Sequence, residues 1–195
     1  LNGADLEIPI LLYTKFLVPQ RRPDAIPRVR LIERLRANLD RRLILVSAPP
    51  GYGKTTLLAE FASRAAPTGA PLLWYQLDQA DSDPAVFLAY LTEGLRQIIS
   101  AAPHGMGESF GAAARALINS ADPHPPERVL TVLINELAQT LTQDLIIILE
   151  DYHLVTNSTV HALTDILIER TPPGLHLVIS ARSDPPLALA RLRAR

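Results

Sequence analysis

The stretch APPGYGKTT at residues 48–56, directly after the apolar run LILVS, restricts the possible folds of this chain more than any other feature. Residues 48–55 fit the pattern of a small residue, four residues of any kind and then Gly-Lys-Ser/Thr, with Ala48 in place of the usual first glycine. The pattern needs a strand that ends in a tight loop with inward-pointing N–H groups, and a helix whose positive end faces the same cavity. LILVS and KTTLLAEFA supply both elements, so the stretch predicts a phosphate-binding loop; the alternative is an ordinary strand-to-helix turn.

The residue types in this loop suit contacts with a nucleotide. Gly51 and Gly53 let the backbone approach the phosphates without a Cβ in the way, and the two prolines before them stiffen the loop. We expect Lys54 to reach the β- and γ-phosphates, Thr55 to offer its hydroxyl to Mg²⁺ and Thr56 to touch the α-phosphate. The predicted nucleotide-binding residues of the loop are Pro50, Gly51, Tyr52, Gly53, Lys54, Thr55 and Thr56.

Two adjacent acids end a second apolar run, LIIILED, at residues 145–151. A phosphate-loop ATPase needs an acid at the tip of a neighbouring strand to hold the water shell of the metal. Two adjacent carboxylates crowd negative charge unless Mg²⁺ or an arginine lies opposite them. We predict that Glu150 supports Mg²⁺ and Asp151 polarises the attacking water. The alternative is that these acids only end the strand and cap the next segment of the chain.

Arg182 ends a third apolar run, LHLVISAR, at residues 175–182. If this strand lies between the loop strand and the acidic strand, Arg182 points toward the γ-phosphate and stabilises charge during transfer. The rival interpretation is a solvent-exposed arginine. His153, close to the two acids, either tunes them or is a hydrogen-bonded packing residue.

Short apolar runs alternate with helical patterns along the chain. Apolar residues recur at intervals of three and four in several stretches, which indicates helices that pack on a sheet. The alternation predicts an α/β fold with a parallel sheet. The predicted strands are residues 43–49, 71–78, 145–151 and 175–182, the first expected to be covered on both faces, and the helical stripes lie at 31–35, 87–98, 130–141 and 160–167.

One domain is expected over residues 1–195, because 48% apolar content can bury one substantial core and no repeat or linker divides the chain. Within it, residues 1–42 are expected to form a lead-in, extended at 9–18, and a helix. Residues 43–195 form the core, with a variable helical insert at about 101–125. The chain begins without methionine and stops inside the charged stretch LARLRAR, which predicts a piece of a longer protein.

Composition excludes several classes of function. A net charge of -1 supplies no broad field for DNA, RNA or an acidic membrane surface. Zero cysteines exclude disulfides and thiolate chemistry, and the five histidines show no metal-ligand spacing. The longest aliphatic run is far shorter than the roughly 20 residues of a membrane span. With no leader pattern at the start, a cytoplasmic location is expected.

Six segments occur in the order seen in one known family, and together they are far more specific than the loop alone. The chain resembles the ATPase domain of MalT-like regulators, which are LuxR-type transcriptional activators of the STAND class of signal-transduction ATPases. The resemblance runs from about residue 13 to the end, interrupted at 101–125. The six segments are TKFLVP (14–19), PRVRLIERL (27–35), SAPPGYGKTT (47–56), WYQLDQADSDPAVFLAYL (74–91), LEDYHLV (149–155) and ARSDPPLALARLRAR (181–195).

The resemblance implies a three-layer α/β/α P-loop fold with a mainly parallel sheet, a RecA-like strand order and a fifth core strand beyond the end of this chain, which leaves the loop strand at an edge. It implies that Lys54 and Thr55 serve ATP and Mg²⁺, that Arg182 faces the γ-phosphate, and that the segment around Arg28 and Arg30 lies near adenine. Family members commonly have two aspartates where this chain has Glu150 and Asp151.

The same resemblance implies further domains and partners of the whole protein. The family places a winged helix, a helical-repeat sensor and a DNA-binding helix-turn-helix after this domain. The full-length protein is then expected to self-associate when ATP and inducer are bound, whereas this piece makes no direct contact with nucleic acid or membrane.

Three functions remain open on the sequence. The favoured one is a nucleotide-controlled switch with weak ATPase activity, in which bound ATP stabilises an assembly-competent state and slow hydrolysis resets it. The second is a metabolic phosphotransferase, which needs an acceptor pocket and a mobile lid as well as the loop. The third is an interaction domain with a degenerate loop, which Ala48 and Glu150 keep open although Lys54 and Thr55 are intact. A GTPase lacks support, because no Asn-Lys-x-Asp motif occurs.

Overall fold

The four predicted strands form one parallel sheet. The computed structural model describes residues 11–20, 26–65, 70–101 and 109–193. Every strand pair is parallel, and the order across the sheet is β1-β4-β3-β2. The α/β class and the parallel sheet are thereby confirmed. The strands are β1 (Leu43–Ser47), β2 (Leu72–Gln76), β3 (Leu145–Glu150) and β4 (Leu175–Ala181).

Seven α-helices accompany these strands in the described part of the chain. The predicted apolar stripes lie on four of them, except that Leu141 follows the last residue of its helix. Asp83 caps the longest helix by accepting from the N–H of Ala85 at 2.7 Å, with Pro84 as its first residue. Asn157 caps another through the N–H of Thr159 at 2.8 Å. The helices are α1 (Val29–Arg36), α2 (Lys54–Ala65), α3 (Pro84–Ser100), α4 (Ala112–Ile118), α5 (Pro126–Thr140), α6 (Ser158–Arg170) and α7 (Leu189–Arg193).

The two faces of the sheet are covered by two separate apolar clusters, which gives the three-layer arrangement. Successive strand residues point to opposite faces, so Leu73 and Tyr75 join one cluster while Trp74 joins the other. The larger cluster packs α3, α4, α5 and α6 against one face. The smaller one, with Ile32 and Phe61, packs α1 and α2 against the other. The buried strand β3 is therefore apolar along its whole length until Glu150.

The edge position of β1 corrects one prediction. The run LILVS predicts a strand covered on both faces, but Leu43, Ile44, Leu45 and Val46 are only half-buried. The reason is its place in the described sheet, where β1 pairs with β4 alone. The apolar run therefore predicted the strand but not how many strands pair with it. The position of β1 at an edge of the described sheet agrees with what the family resemblance implied.

The insert at 101–125, expected to be helical, contains the short helix α4. Gly111 precedes this helix with a φ of +76°, and its N–H donates to Glu136 on α5 at 2.6 Å. Residues 102–108 of the insert lie outside the described residues, as do residues 9 and 10 of the lead-in. In the described part, no helix is long and apolar enough to cross a membrane.

The lead-in forms a short 3-10 helix at Tyr13–Phe16 where an extended segment was predicted. The turn carries Lys15 inward to Asp81 at 2.6 Å and Asp78 at 2.9 Å. Asp81 is completely buried and also accepts from the Tyr75 hydroxyl at 2.6 Å. Burial lowers the pKa of Lys15, but the hydrogen bonds and charges of Asp81 and Asp78 outweigh that effect and raise it, so the ammonium stays charged.

Breaking this ion pair is expected to destabilise the domain strongly. In Lys15→Ala the buried Asp81 loses its counter-charge, so we expect the free energy of unfolding in urea to fall by about 3 kcal/mol. Arg41→Ala is the control, because Arg41 and its partner Asp40 are 69% and 70% exposed and 3.7 Å apart. Equal urea midpoints for the two variants would contradict the expectation.

Candidate functional site

The strand order brings three predicted groups to one edge of the sheet. β4 lies between β1 and β3, which is the condition on which the prediction for Arg182 depended. Ser47 and Ala181, the last residues of β1 and β4, lie beside each other in the register. The loop that follows β1, Arg182 after β4 and the acids at the end of β3 therefore share the carboxyl edge of the sheet, where ligands of open α/β sheets bind.

The loop between β1 and α2 has the backbone that its glycines allow. Gly51 and Gly53 have φ values of +83° and +74°, a left-handed conformation that other residues rarely adopt. The N–H of Ala48 donates to the carbonyl of Ala181 at 3.3 Å, which fixes the start of the loop to β4. α2 begins at Lys54, and its first-turn N–H groups and helix dipole make the loop side of this helix electropositive.

Lys54 lies folded across its own loop. Its Nζ donates to the carbonyl of Ala48 at 2.7 Å and to that of Pro49 at 3.3 Å. Neither acceptor carries a formal charge, so a phosphate placed in the loop would be a stronger partner for this ammonium. The loop therefore holds its cation beside the electropositive start of α2, an arrangement suited to a polyphosphate.

Thr55 and Glu150, the two predicted metal-supporting residues, are in direct contact. The Thr55 hydroxyl donates to Oε1 of Glu150, although the two residues are 95 positions apart. Glu150 is only 1% exposed, and its Oε2 is buried without a hydrogen-bond partner in the described part of the chain. Burial raises the pKa of Glu150 to about 7, with a smaller contribution from Asp151, while Thr55 and Lys54 act in the opposite direction.

This oxygen pair fits Mg²⁺. Magnesium prefers oxygen ligands and is usually held by one or two protein groups together with waters and substrate phosphates. The unpartnered Oε2 of Glu150 and the Thr55 hydroxyl are such groups, and a cation beside them would offset the cost of the buried carboxylate. Among the described residues, no cluster of three or more His, Cys, Asp or Glu side chains suits a metal, so this two-residue site is the candidate.

Asp151 follows β3 in a strained backbone conformation. Its φ is +57°, unusual for a residue other than glycine, and a 3-10 helix at Tyr152–Leu154 starts immediately after it. The Asp151 N–H donates to the Ser180 hydroxyl of β4 at 3.4 Å. Such strain costs about 1 kcal/mol or more and concentrates at functional sites. The structure thus places Asp151 beside Glu150 at the same edge, with a half-buried carboxylate.

The sequence left two interpretations of His153, a group that tunes the two acids or a hydrogen-bonded packing residue. The surroundings of its side chain do not fit the second. Its side chain is 13% exposed, and both ring nitrogens are buried without a hydrogen-bond partner among the described residues. Nδ1 lies 3.7 Å from Oδ1 of Asp151. Burial, then the charge of Arg182 and then that of Lys54 lower the pKa of His153, against the opposing charge of Asp151. The exposed Arg182 and the loop lysine therefore act on the same imidazole.

Arg28 lies against the loop, ahead of α1. Its Nη1 donates to the carbonyl of Tyr52 at 2.8 Å, and its backbone N–H donates to the buried Glu60 of α2 at 3.4 Å. A Cβ on Gly53 would lie 2.9 Å from Nη2 of Arg28, so only glycine permits this approach. Arg30 lies in the first turn of α1 and is exposed. The placement of adenine near these residues stays a prediction.

An open groove of about 520 Å³ runs from the loop along the free edge of β1. Arg28, Tyr52 and Lys54 line its loop end, and α1 forms its other wall. Pro50 is exposed in the loop, and Thr56 is half-buried in the first turn of α2. The predicted site residues thus form two groups, one around the loop with Arg28 and one around Glu150, Asp151 and Arg182, linked by the contact of Thr55 with Glu150.

Comparisons with known proteins found one family model and several similar regulators. The sequence model of the AAA ATPase domain matches residues 27–179. The chain is 33% identical over 186 residues to the HTH-type transcriptional regulator MalT of Serratia proteamaculans, and 31% identical over 182 residues to that of Vibrio cholerae. These matches cover 95% and 93% of this chain but 19% of each relative. The resemblance predicted from the six segments is confirmed.

Solved structures were matched as well. A chain in the structure of Drosophila ORC bound to DNA aligns over 83% of this chain and 78% of its own length, with 13% sequence identity and a TM-score of 0.48.

Proposed function

The chain belongs to the AAA ATPase domain family, and we propose that it is the ATP-binding, slowly hydrolysing switch domain of a MalT-like transcriptional regulator. The observation that carries the proposal is the contact between Thr55 of the loop and Glu150 of β3, with the second oxygen of Glu150 left unpartnered. It joins the two halves of a phosphate-loop ATPase site at one point. An interaction domain with a degenerate loop gains nothing from a buried, unpartnered carboxylate, which destabilises the fold through its desolvation.

The loop residues bind the triphosphate. Lys54 exchanges the carbonyls of Ala48 and Pro49 for the β- and γ-phosphates, and the amides around Gly51 and Gly53 cradle the chain of phosphates. Thr55 and Glu150 hold Mg²⁺, which neutralises the charge that develops on the phosphates. Arg28, anchored on the carbonyl of Tyr52, covers the loop on the side where we place the adenine.

The residues at the ends of β3 and β4 serve hydrolysis and sensing. Asp151, half-buried beside Glu150, orients and polarises the attacking water. Arg182, exposed at the adjacent strand end, contacts the γ-phosphate, which ADP lacks. Because ADP cannot make this contact, Arg182 contributes to the differential affinity that a switch requires.

The role in the whole protein is inferred from the relatives. The chain spans about a fifth of the length of the curated MalT relatives that it matches, so the role of the whole protein is a proposal. We propose that ATP bound at this site favours self-association of the whole protein and that hydrolysis reverses it. A cytoplasmic location stays a prediction.

Nucleotide titration tests the proposal. The chain is titrated with ATP, ADP and GTP, with Mg²⁺ and with EDTA, by calorimetry, and phosphate release is followed separately. We expect binding of both adenine nucleotides in preference to GTP, tighter ATP binding with Mg²⁺ and slow release of phosphate. Absence of nucleotide binding would refute the proposal, and rapid phosphate transfer to a small-molecule acceptor would support the phosphotransferase instead.

Arg182→Ala is expected to retain ADP affinity while ATP affinity falls roughly tenfold, because only ATP loses a charged hydrogen bond of about 1.5 kcal/mol. Arg170→Ala is a matched control, since Arg170 ends α6 ahead of β4 and Arg182 directly follows that strand. The ratio of the two dissociation constants is measured for both variants. An unchanged ratio in Arg182→Ala would remove the γ-phosphate role from this residue.

A further inference from the structure

Neither the loop nor the metal pair supplies a function for the polar side chain of His153, which lies beside Asp151. Its imidazole is nearly enclosed, yet Nδ1 and Nε2 have no hydrogen-bond partner in the described part of the chain. A buried polar atom without a partner loses its hydrogen bonds to water without replacement, and this ring carries two such atoms. Such a cost is difficult to explain for a residue that serves packing alone, because an apolar side chain would avoid it.

The groups around His153 complement it chemically. Asp151, 3.7 Å from Nδ1, only accepts hydrogen bonds, and Arg182, whose charge acts on the ring, only donates them. A neutral imidazole has one donor and one acceptor, so it can donate through Nδ1 to the carboxylate and accept at Nε2 from the guanidinium. The lowered pKa of His153 keeps the ring in this neutral form.

We propose that His153 is a positioning residue that bridges Asp151 and Arg182 when ATP is bound, so that contact of Arg182 with the γ-phosphate orients the carboxylate that activates water. The inference rests on the proposed function and adds a connection between sensing and hydrolysis. The Nδ1–Oδ1 distance must shorten by less than 1 Å to become a hydrogen bond. This bridge requires no bond between His153 and the phosphate or metal.

The proposed bridge predicts that loss of His153 lowers the turnover number for ATP but hardly changes nucleotide binding. His153→Phe keeps a planar ring but removes both polar atoms, so we expect the turnover number for ATP to fall roughly tenfold, as when a supporting hydrogen bond behind a functional group is lost. The KM for ATP and the dissociation constant for ADP are expected to change less than about threefold. His153→Gln, whose amide keeps one donor and one acceptor, is expected to recover most of the turnover.

His176→Phe is the matched control. The His176 side chain is 15% exposed, and its Nε2 lies 3.5 Å from Asp144, so it is a similarly enclosed histidine beside an aspartate, at the other end of the sheet. This variant is expected to hydrolyse ATP at the unmodified rate. Urea unfolding and ADP binding show that each variant is folded.

A double-mutant cycle tests the link to Arg182. In an Arg182→Ala background the bridge is already broken, so His153→Phe is expected to lower turnover by less than about threefold there. The same tenfold loss in both backgrounds, or unaltered turnover in His153→Phe, would overturn the inference while leaving the proposed function in place. Failure of the unmodified chain to hydrolyse ATP would overturn the hydrolytic part of the proposed function, and the inference with it.

Discussion

Replacing Lys54 by alanine is expected to weaken the binding of both ATP and ADP by about 1,000-fold. Truncating one partner of a buried, hydrogen-bonded charge pair costs about 4 kcal/mol, which corresponds to that factor in the dissociation constant. The loop itself should remain intact, because Lys54 donates only to the uncharged carbonyls of Ala48 and Pro49 in the nucleotide-free protein. The urea midpoint of the variant should therefore stay close to that of the unmodified chain.

Two further variants separate charge from geometry at this position. Lys54→Arg keeps the charge but replaces a compact ammonium by a broad planar group, so it should restore little of the affinity. Arg42→Ala removes a cation just ahead of β1, at the far end of the strand that leads into the loop, and should bind nucleotides normally. Calorimetric titration with Mg²⁺-ATP and with ADP measures all three. Unimpaired binding by Lys54→Ala would refute the phosphate-loop assignment.

The elements that could be predicted from the sequence are those specified by short, local patterns. The four strands were located within two residues at each end, because parallel strands in a three-layer fold are continuous apolar runs. The loop was predicted because its glycines, lysine and threonine are contiguous and lie between a strand and a helix. The order of the strands was not predicted. The role predicted for Arg182 required β4 to lie between β1 and β3, and the structure places it there.

The features that escaped prediction depend on residues that are distant in the chain. Lys15 forms its ion pair with Asp81, 66 positions away, and this contact turns the expected extended lead-in into a 3-10 helix. A signal was present, since Lys15 is one of only two lysines in a chain that has 17 arginines. The environment of His153 likewise required knowing that Arg182 comes to the same edge of the sheet.

Glu150, which we propose as a magnesium ligand, could be predicted only in part from the sequence. Its position at a strand end was predicted from the apolar run before it, whereas its contact with Thr55 and its unpartnered oxygen appear only in three dimensions. The family commonly has aspartate where this chain has Glu150. The longer side chain reaches the Thr55 hydroxyl directly, so the glutamate is compatible with the loop geometry.

Glu150→Gln is expected to lower ATP turnover about 1,000-fold, the upper range for removing one preorganised electrostatic contact to a transition state. The amide keeps the size of the side chain and its acceptor for Thr55 but loses the negative charge that holds Mg²⁺. Because Lys54 and the loop amides are unchanged, ATP affinity should fall less than turnover. Single-turnover hydrolysis and titration measure the two quantities, and Glu150→Asp should retain part of the turnover as a carboxylate control.

The pH dependence of stability, measured in EDTA without nucleotide, is an independent test of Glu150→Gln. The folded-state pKa of Glu150, about 7, lies above the ordinary glutamate value of 4.5, so the fold disfavours the charged form. The unmodified chain should lose stability relative to Glu150→Gln as pH rises from 4.5 to 7, with no further difference above that range. Urea unfolding at about pH 5 and about pH 8, on either side of the folded-state pKa, measures this difference. A constant difference across these values would contradict the buried, uncompensated carboxylate, and with it the reason for placing Mg²⁺ there.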